Sequence, residues 1–171
     1  MSKGVQFVLM AVVLVAAMGC GVQKYVGLGD DDRTVYSGPV YPATTKTAIA
    51  FQPAQVGRSC RVFAESLVQL PANLTGKDIE NAVLAEAHER GADQVLIGQA
   101  RQSEDDAGLR FLYYGPAHEY LCADHCGGWK FGYRLWEKQG AWIPIGFAEW
   151  GRADIKFETP MVLQLAMLRC Q

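Results

Sequence analysis

The stretch SCRVFAESLVQLPANLTGKDIENAVLAEAHERGADQVLIG, residues 59–98, decides the fold of this chain. It opens with a short apolar alternation, Ser59 to Phe63, which predicts a β-strand. A loop follows at residues 71–73, and the run from Ala92 to Gly98 predicts a second strand. Two strands are therefore expected on either side of a segment with a different periodicity.

That intervening segment carries the signals of an amphipathic helix. Thr75, with Asp78 three residues later, resembles a capping box at the start of a helix. Gly91 has the residue type that commonly caps the C-terminal end. The apolar residues at helical spacing between these caps are Ile79, Val83, Leu84 and Ala87. The unit is expected to have a right-handed crossover and an at least partly parallel sheet.

From Gly108 onward the pattern changes to aromatic and β-branched runs separated by turn residues. Pro160 is expected to open the last strand, where its missing N–H donor matters least. The expected fold class is α+β: a single small domain with a strand-helix-strand unit followed by an antiparallel, aromatic-rich meander. The predicted strands of the meander are Leu109 to Tyr114, Trp129 to Lys138, Trp142 to Trp150, and Met161 to Leu168.

The N-terminus has the organisation of an export signal. Lys3 supplies a positive charge, and the apolar run from Val5 to Met18 is shorter than the roughly 20 residues of a transmembrane helix. The run ends in Ala17-Met18-Gly19-Cys20, which resembles the lipobox of bacterial lipoproteins. The resemblance implies that Cys20 is lipidated and anchors the chain to the membrane.

Three regions are therefore expected along the chain. Residues 1–19 are predicted to be a cleaved lipoprotein signal peptide, residues 20–57 a flexible membrane tether, and residues 58–171 the α+β domain. Prolines in the tether disfavour long helices and central strands, although residues 44–51 have the pattern of an edge strand. Gly21, by the lipoprotein resemblance, favours the outer membrane facing the periplasm over the inner membrane.

Composition narrows the class of protein. Hydrophobic residues make up 50% of the chain and charged residues 20%, which is typical of a globular domain with a core. The formal net charge of -2 leaves no basic excess to neutralise phosphates. Nucleic acid is therefore not an expected partner.

Four cysteines remain after Cys20, and an even number in an exported domain predicts two disulfides. Three pairings are possible. We favour Cys60 with Cys170, because a sheet can bring the first and last strands together, and Cys122 with Cys126 as a local loop.

The same local loop offers an alternative as a metal site. Cys122, His125 and Cys126, with His118 nearby, have soft ligands suited to zinc or copper. However, zinc cysteines usually come in spaced pairs, and a C-x₃-C loop in an oxidising compartment more often closes a disulfide. The expectation is a disulfide, with no metal and no cofactor.

Recognisable catalytic motifs are absent from the sequence. It has no G-x-S-x-G elbow, no phosphate-binding glycine loop and no His-Glu-x-x-His. Carboxylates for acid and base chemistry are available, but their spacing fixes no pair: Glu119, Asp124, Glu137, Glu149, Asp154 and Glu158. No catalytic residue is predicted, and an enzymatic role has no support from the sequence.

Aromatic side chains concentrate in the second half of the chain. They fit either a core or a recognition face, and those on the outer side of alternating strands would contact a glycan, peptidoglycan or an envelope protein. These residues are Tyr113, Tyr114, Tyr120, Trp129, Phe131, Tyr133, Trp136, Trp142, Phe147 and Trp150.

Residues 57–99, with the cysteine-bearing strand, the helix ending in Ala87-His88-Glu89-Arg90-Gly91-Ala92-Asp93 and the following strand, resemble the small α+β domain of Rcs-type envelope-stress sensor lipoproteins. The resemblance implies a disulfide-stapled periplasmic domain that reports to envelope partners. The expected function is a membrane-anchored cell-envelope lipoprotein acting as a non-enzymatic binding, sensing or structural module. The alternatives are a metal-binding envelope protein or a hydrolase without a recognisable motif.

Overall fold

A computed structural model describes residues 35–170, apart from the side chain of Asp124. The predicted signal peptide and the predicted lipidation site at Cys20 lie outside the described residues. Residues 35–170 form a single small domain in which strand residues outnumber helical ones.

Nine strands, three helices and one 3₁₀ turn are present in the described residues. The strands are β1 (Ala48–Ala50), β2 (Arg61–Leu70), β3 (Leu74–Thr75), β4 (Gln94–Gln102), β5 (Arg110–Gly115), β6 (Tyr120–Leu121), β7 (Trp142–Ile143), β8 (Lys156–Phe157) and β9 (Met161–Arg169). The helices are α1 (Gly76–Arg90), α2 (Cys122–His125) and α3 (Tyr133–Glu137), and the 3₁₀ turn is Pro53–Gln55.

The main sheet has the strand order β1-β4-β9-β2-β5. Strand β9 pairs antiparallel with both β2 and β4, so these two strands run parallel to each other on either side of it. Strands β6 and β7 extend the edges by pairing with β2 and β4. The partly parallel sheet was expected from the strand-helix-strand unit, whose strands β2 and β4 do run parallel but do not pair, because β9 lies between them. A hydrogen-bonded parallel pair is formed by β1 and β4. Strands β3 and β8 form a separate pair.

Helix α1 begins and ends as its sequence indicates. The Thr75 hydroxyl accepts a hydrogen bond from the Asp78 N–H at 3.1 Å, and the Asp78 carboxylate accepts one from the Thr75 N–H at 2.9 Å. Gly91 ends the helix in the left-handed conformation with φ of 76°, which a residue without a Cβ adopts at little cost. The capping-box and C-cap predictions are confirmed.

Two apolar layers lie on opposite faces of the sheet because side chains alternate along each strand. On the first face, α1 packs Ile79, Val83 and Ala87 against strand residues such as Val95 and Leu165. On the second face, residues 122–137, which we call the covering segment, contact two smaller clusters. The sheet is therefore the middle layer of the domain.

The prediction of an aromatic meander is wrong for its middle part. Strands β5 and β9 form where they were predicted, and β9 follows Pro160. Residues 129–138 instead contain α3, and residues 142–150 contain only the two residues of β7. Trp136 is instead buried in a cluster with Leu67 and Val162, a tertiary contact that strand propensity does not predict.

Residues 35–57, which the sequence assigns to the tether, pack on the domain. Strand β1 lies within the expected edge-strand region, and Tyr36, Tyr41 and Phe51 contact the cluster beneath α1. The Thr44 and Thr47 hydroxyls both donate to the Ala92 carbonyl, at 2.9 and 2.8 Å. Buried rings and paired backbone groups stabilise this segment even though its composition is typical of a linker.

Candidate functional site

A cleft of about 410 Å³ lies between the second face of the sheet and the covering segment. Its floor is formed by residues of four strands, and its wall by the first half of the covering segment. The floor residues are Glu65, Leu96, Tyr120 and Ala166, and the wall residues are His125, Cys126, Gly127, Gly128, Trp129, Lys130 and Phe131.

The wall starts from a short covalent loop. A disulfide joins Cys122 to Cys126 across the single turn of α2, and the Cys126 N–H donates to the Cys122 carbonyl at 2.8 Å. The Cys122 N–H in turn donates to the Cys60 carbonyl at 3.0 Å, which ties this loop to the beginning of β2. The disulfide and these two hydrogen bonds hold the start of the wall beside the beginning of β2.

Trp129 is the main aromatic element of the wall, and its position depends on Gly98 beneath it. A Cβ at position 98 would lie 2.8 Å from the indole ring, which is closer than van der Waals contact allows. The Gln164 side-chain amide donates to the Trp129 carbonyl at 3.3 Å. Phe131 continues the aromatic wall with its ring centroid 5.9 Å from that of Trp129. The two rings meet edge to face at an angle of 68°, and both line the cleft.

Glu65 is the acidic group of the floor. It is half-buried on β2, and the Tyr120 hydroxyl donates to its Oε1 at 2.6 Å. Burial raises the pKa of Glu65 above its usual value, although the hydrogen bond from Tyr120 acts in the opposite direction. Burial is the largest cause of a raised pKa at Tyr120, and the hydrogen bond to Glu65 raises that pKa further. Within residues 35–170, no lysine, arginine or histidine forms an ion pair with Glu65.

The two basic side chains of the cleft lie in its wall. Lys130 is exposed, and His125 is exposed with its ring 5.9 Å from that of Tyr120 in an edge-to-face arrangement. The cleft therefore has a carboxylate on its floor, aromatic rings around it and a positive charge near the solvent.

The four domain cysteines form two disulfides, Cys60–Cys170 and Cys122–Cys126, which is the pairing that the sequence favoured. Cys60 and Cys170 meet because Arg61 and Arg169 are register partners in β2 and β9. Both disulfides border the same apolar cluster on the second face.

The arrangement of Cys122, His125, Cys126 and His118 does not support the alternative of a metal site. Cys122 and Cys126 share a disulfide, so neither offers a thiolate, and His118 and His125 are both exposed. In the described part of the chain, no three His, Cys, Asp or Glu side chains are grouped closely enough to hold a metal ion.

The carboxylates considered from sequence have local partners elsewhere. Glu119 accepts from the Tyr41 hydroxyl and pairs with Arg61 at 3.6 Å. Glu149 accepts from the Gly146 N–H at 2.8 Å, and Asp154 pairs with Arg152. Glu137 accepts from Tyr133, whereas Glu158 is exposed, and the Asp124 side chain lies outside the described atoms. None of the described carboxylates in this set lines the cleft.

The aromatic residues are divided among several environments. Tyr113 and Trp136 are buried, and Tyr114, Tyr120, Trp129, Phe131 and Trp150 are half-buried. Tyr133, Trp142 and Phe147 are 58, 61 and 89% exposed. They do not form the aromatic sheet face that the meander implied, because the segment containing most of them is not a sheet.

Sequence reasoning missed Glu65, which is the central polar residue of the cleft. A signal was present, since Glu65 is the single charged residue within the otherwise apolar or small run Val62 to Val68. A lone carboxylate in a buried strand costs desolvation energy and therefore merits attention as a site residue.

Comparisons of the chain with protein-family models, curated proteins and solved structures find no match. Among residues 35–170, no helix has the length and apolar character needed to cross a membrane.

Proposed function

We propose that this chain is a lipid-anchored protein of the bacterial cell envelope whose domain is a non-enzymatic binding module. The observation that carries the binding role is the cleft, in which the local disulfide and Trp129 form a wall over Glu65. Small-molecule sites generally have about 300–1,000 Å³ and combine apolar walls with few polar groups, and this cleft has both properties.

An exported location is supported by the state of the cysteines. All four cysteines of the domain are paired in two disulfides, which persist in oxidising compartments and are rare in the cytosol. The lipobox resemblance at Cys20 adds the membrane anchor, and Gly21 favours the outer membrane facing the periplasm. Through this anchor, the membrane is the first partner.

Binding fits the cleft better than catalysis does. Its described lining contains no serine, threonine or free thiol that would act as a nucleophile, and Glu65 is the single carboxylate in it. Acid and base mechanisms on glycosides need two carboxylates at a set separation. A peptidoglycan fragment or an envelope protein is the class of partner expected for the aromatic wall.

The anchor is tested by the intact mass of the protein purified from its native membrane, with and without reduction. The expected mass begins at Cys20 with acyl chains, and reduction adds the mass of four hydrogens. Cys20→Ser should move the protein from the detergent phase to the aqueous phase in a detergent partition experiment. An unmodified N-terminus would contradict the lipoprotein assignment.

The binding role is tested in cells with a photo-crosslinking amino acid at one of two positions. Position 130 lies at the cleft, and position 89 is the matched exposed position on α1, across the sheet. Envelope protein or peptidoglycan should be cross-linked from position 130 and not from position 89. Equal cross-linking from both positions would contradict a binding role for the cleft.

A further inference from the structure

The charge of Glu65 is not neutralised by any side chain around it. Its carboxylate receives one hydrogen bond, from Tyr120, and forms no ion pair within the described residues. Partial removal of a carboxylate from water costs free energy that a charged partner would offset, and Glu65 has no such partner among the described residues. Glu65 is also one of the residues that line the cleft.

The groups around this carboxylate are aromatic. Tyr120 lies beside it, and Trp129 and Phe131 line the same cleft. Aromatic faces carry negative electrostatic potential and attract cations, and an ammonium group also donates charge-assisted hydrogen bonds to a carboxylate. The carboxylate and the rings therefore favour the same kind of ligand.

We propose that the part of the partner that enters the cleft is an ammonium group attached to an apolar or ring-bearing body. The ammonium group occupies the space beside Glu65, and the body lies against Trp129 and Phe131. This inference rests on the proposed binding role and adds the class of ligand. An anionic ligand is disfavoured because it would meet the unpaired carboxylate on the floor.

The titratable groups that line the cleft are Glu65, Tyr120, His125 and Lys130. Lys130 is exposed, so its ammonium group reaches solvent while its charge still opposes the approach of a cation. Removing this charge should strengthen binding, which is opposite in sign to the loss expected from removing the Glu65 charge. The two substitutions together distinguish charge recognition from general damage to the cleft.

The experiment uses the full chain in detergent and three probes that share a phenyl ring: benzylamine, benzyl alcohol and phenylacetate. Isothermal titration calorimetry measures binding to the native protein and to three variants. The variants are Glu65→Gln, which keeps an acceptor for Tyr120, Lys130→Ala, and Glu89→Gln as a charge-matched control on α1. Near-ultraviolet circular dichroism verifies that each variant is folded.

Benzylamine should bind at least about tenfold more tightly than benzyl alcohol, since hydrogen bonds to charged groups are the stronger kind. Glu65→Gln should remove most of that difference, Glu89→Gln should leave it unchanged within about twofold, and Lys130→Ala should strengthen benzylamine binding by about twofold.

Equal affinities for benzylamine and benzyl alcohol in the native protein, or an unchanged preference in folded Glu65→Gln, would overturn the proposal. Tighter binding of phenylacetate would also overturn the ligand class, while the cleft would remain a binding site. Failure of the anchor appears separately in the intact mass, and failure of the binding role appears in the cross-linking pattern, so each claim is tested on its own.

Discussion

The two disulfides should contribute very differently to stability, although they lie beside the same apolar cluster. Cys60 and Cys170 are 110 residues apart in sequence, whereas Cys122 and Cys126 are 4 residues apart. In the chain-entropy account, a cross-link stabilises the fold by restricting the unfolded chain, and its effect grows with the logarithm of loop length. That relation yields about 4.8 kcal/mol for the long loop and about 1.9 kcal/mol for the short one.

The two disulfides can be compared directly because their cysteines are buried to a similar extent. Cys60 and Cys122 are both 2% exposed, and Cys170 and Cys126 are both half-buried, so losing the sulfur atoms costs the two pairs a similar amount of packing. Replacing each pair by two alanines should therefore isolate the difference in loop length. The long-range double variant should be less stable than the local one by about 3 kcal/mol.

Guanidinium unfolding without reductant, followed by tryptophan fluorescence and far-ultraviolet circular dichroism, measures both free energies of unfolding. Losing the Cys122–Cys126 disulfide should nevertheless weaken ligand binding more than losing Cys60–Cys170, because Cys126 lines the cleft and Cys60 and Cys170 do not. If the local double variant lost as much stability as the long-range one, the loop-entropy reasoning would be refuted.

Other substitutions test the helix, the cleft and the pH dependence. Ile79→Ala empties a fully buried site in α1 and should cost about 2–5 kcal/mol, whereas Leu84→Ala on the half-buried flank should cost less. Thr75→Ala removes the capping hydroxyl and should cost about 1 kcal/mol. Gly98→Ala places a methyl group 2.8 Å from the Trp129 ring, so it should cost about 1–3 kcal/mol and weaken binding in the cleft. Because burial raises the pKa of Glu65, the native protein loses stability as pH rises through that pKa, and Glu65→Gln should be the more stable protein near about pH 8 but not near about pH 3.

Chemical denaturation measures each of these changes, with the native protein at the same pH as the control. Equal losses for Ile79→Ala and Leu84→Ala would contradict the assigned buried face of α1. If Thr75→Ala had the same free energy of unfolding as the native protein, the Thr75 cap would have no energetic role. A Gly98→Ala variant with native stability and binding would show that the Trp129 ring does not need to lie close to the backbone at position 98. A pH-independent difference for Glu65→Gln would contradict the raised pKa.

Local chemistry accounts for the elements that the sequence predicted well. Thr75, Asp78 and Gly91 satisfy backbone groups at the ends of α1 by contacts within a few residues, so their effect does not depend on the rest of the fold. Strands β5 and β9 were likewise predictable, and β9 begins directly after Pro160.

The central position of β9 and the path of the covering segment had no comparable local signal. Strand β9 inserts between β2 and β4, which are separated from it by long stretches of sequence. Residues 129–138 have strand propensity but form an irregular cover with the short helix α3, because Trp136 buries its ring against Leu67 and Val162. Nothing near these residues in sequence encodes that burial.

The sequence by itself determined the limits of α1, the apolar character of the strands and the even number of cysteines in the domain, since these depend on residue type and near neighbours. Only the tertiary structure decided the strand order, the inclusion of residues 35–57 in the domain and the cleft above Glu65. The cleft exists because β2, β4, β6 and β9 bring Glu65, Leu96, Tyr120 and Ala166 to one face, and the covering segment then closes over them. Such a site depends on contacts between residues that are distant in sequence, and those contacts form only when the whole sheet assembles.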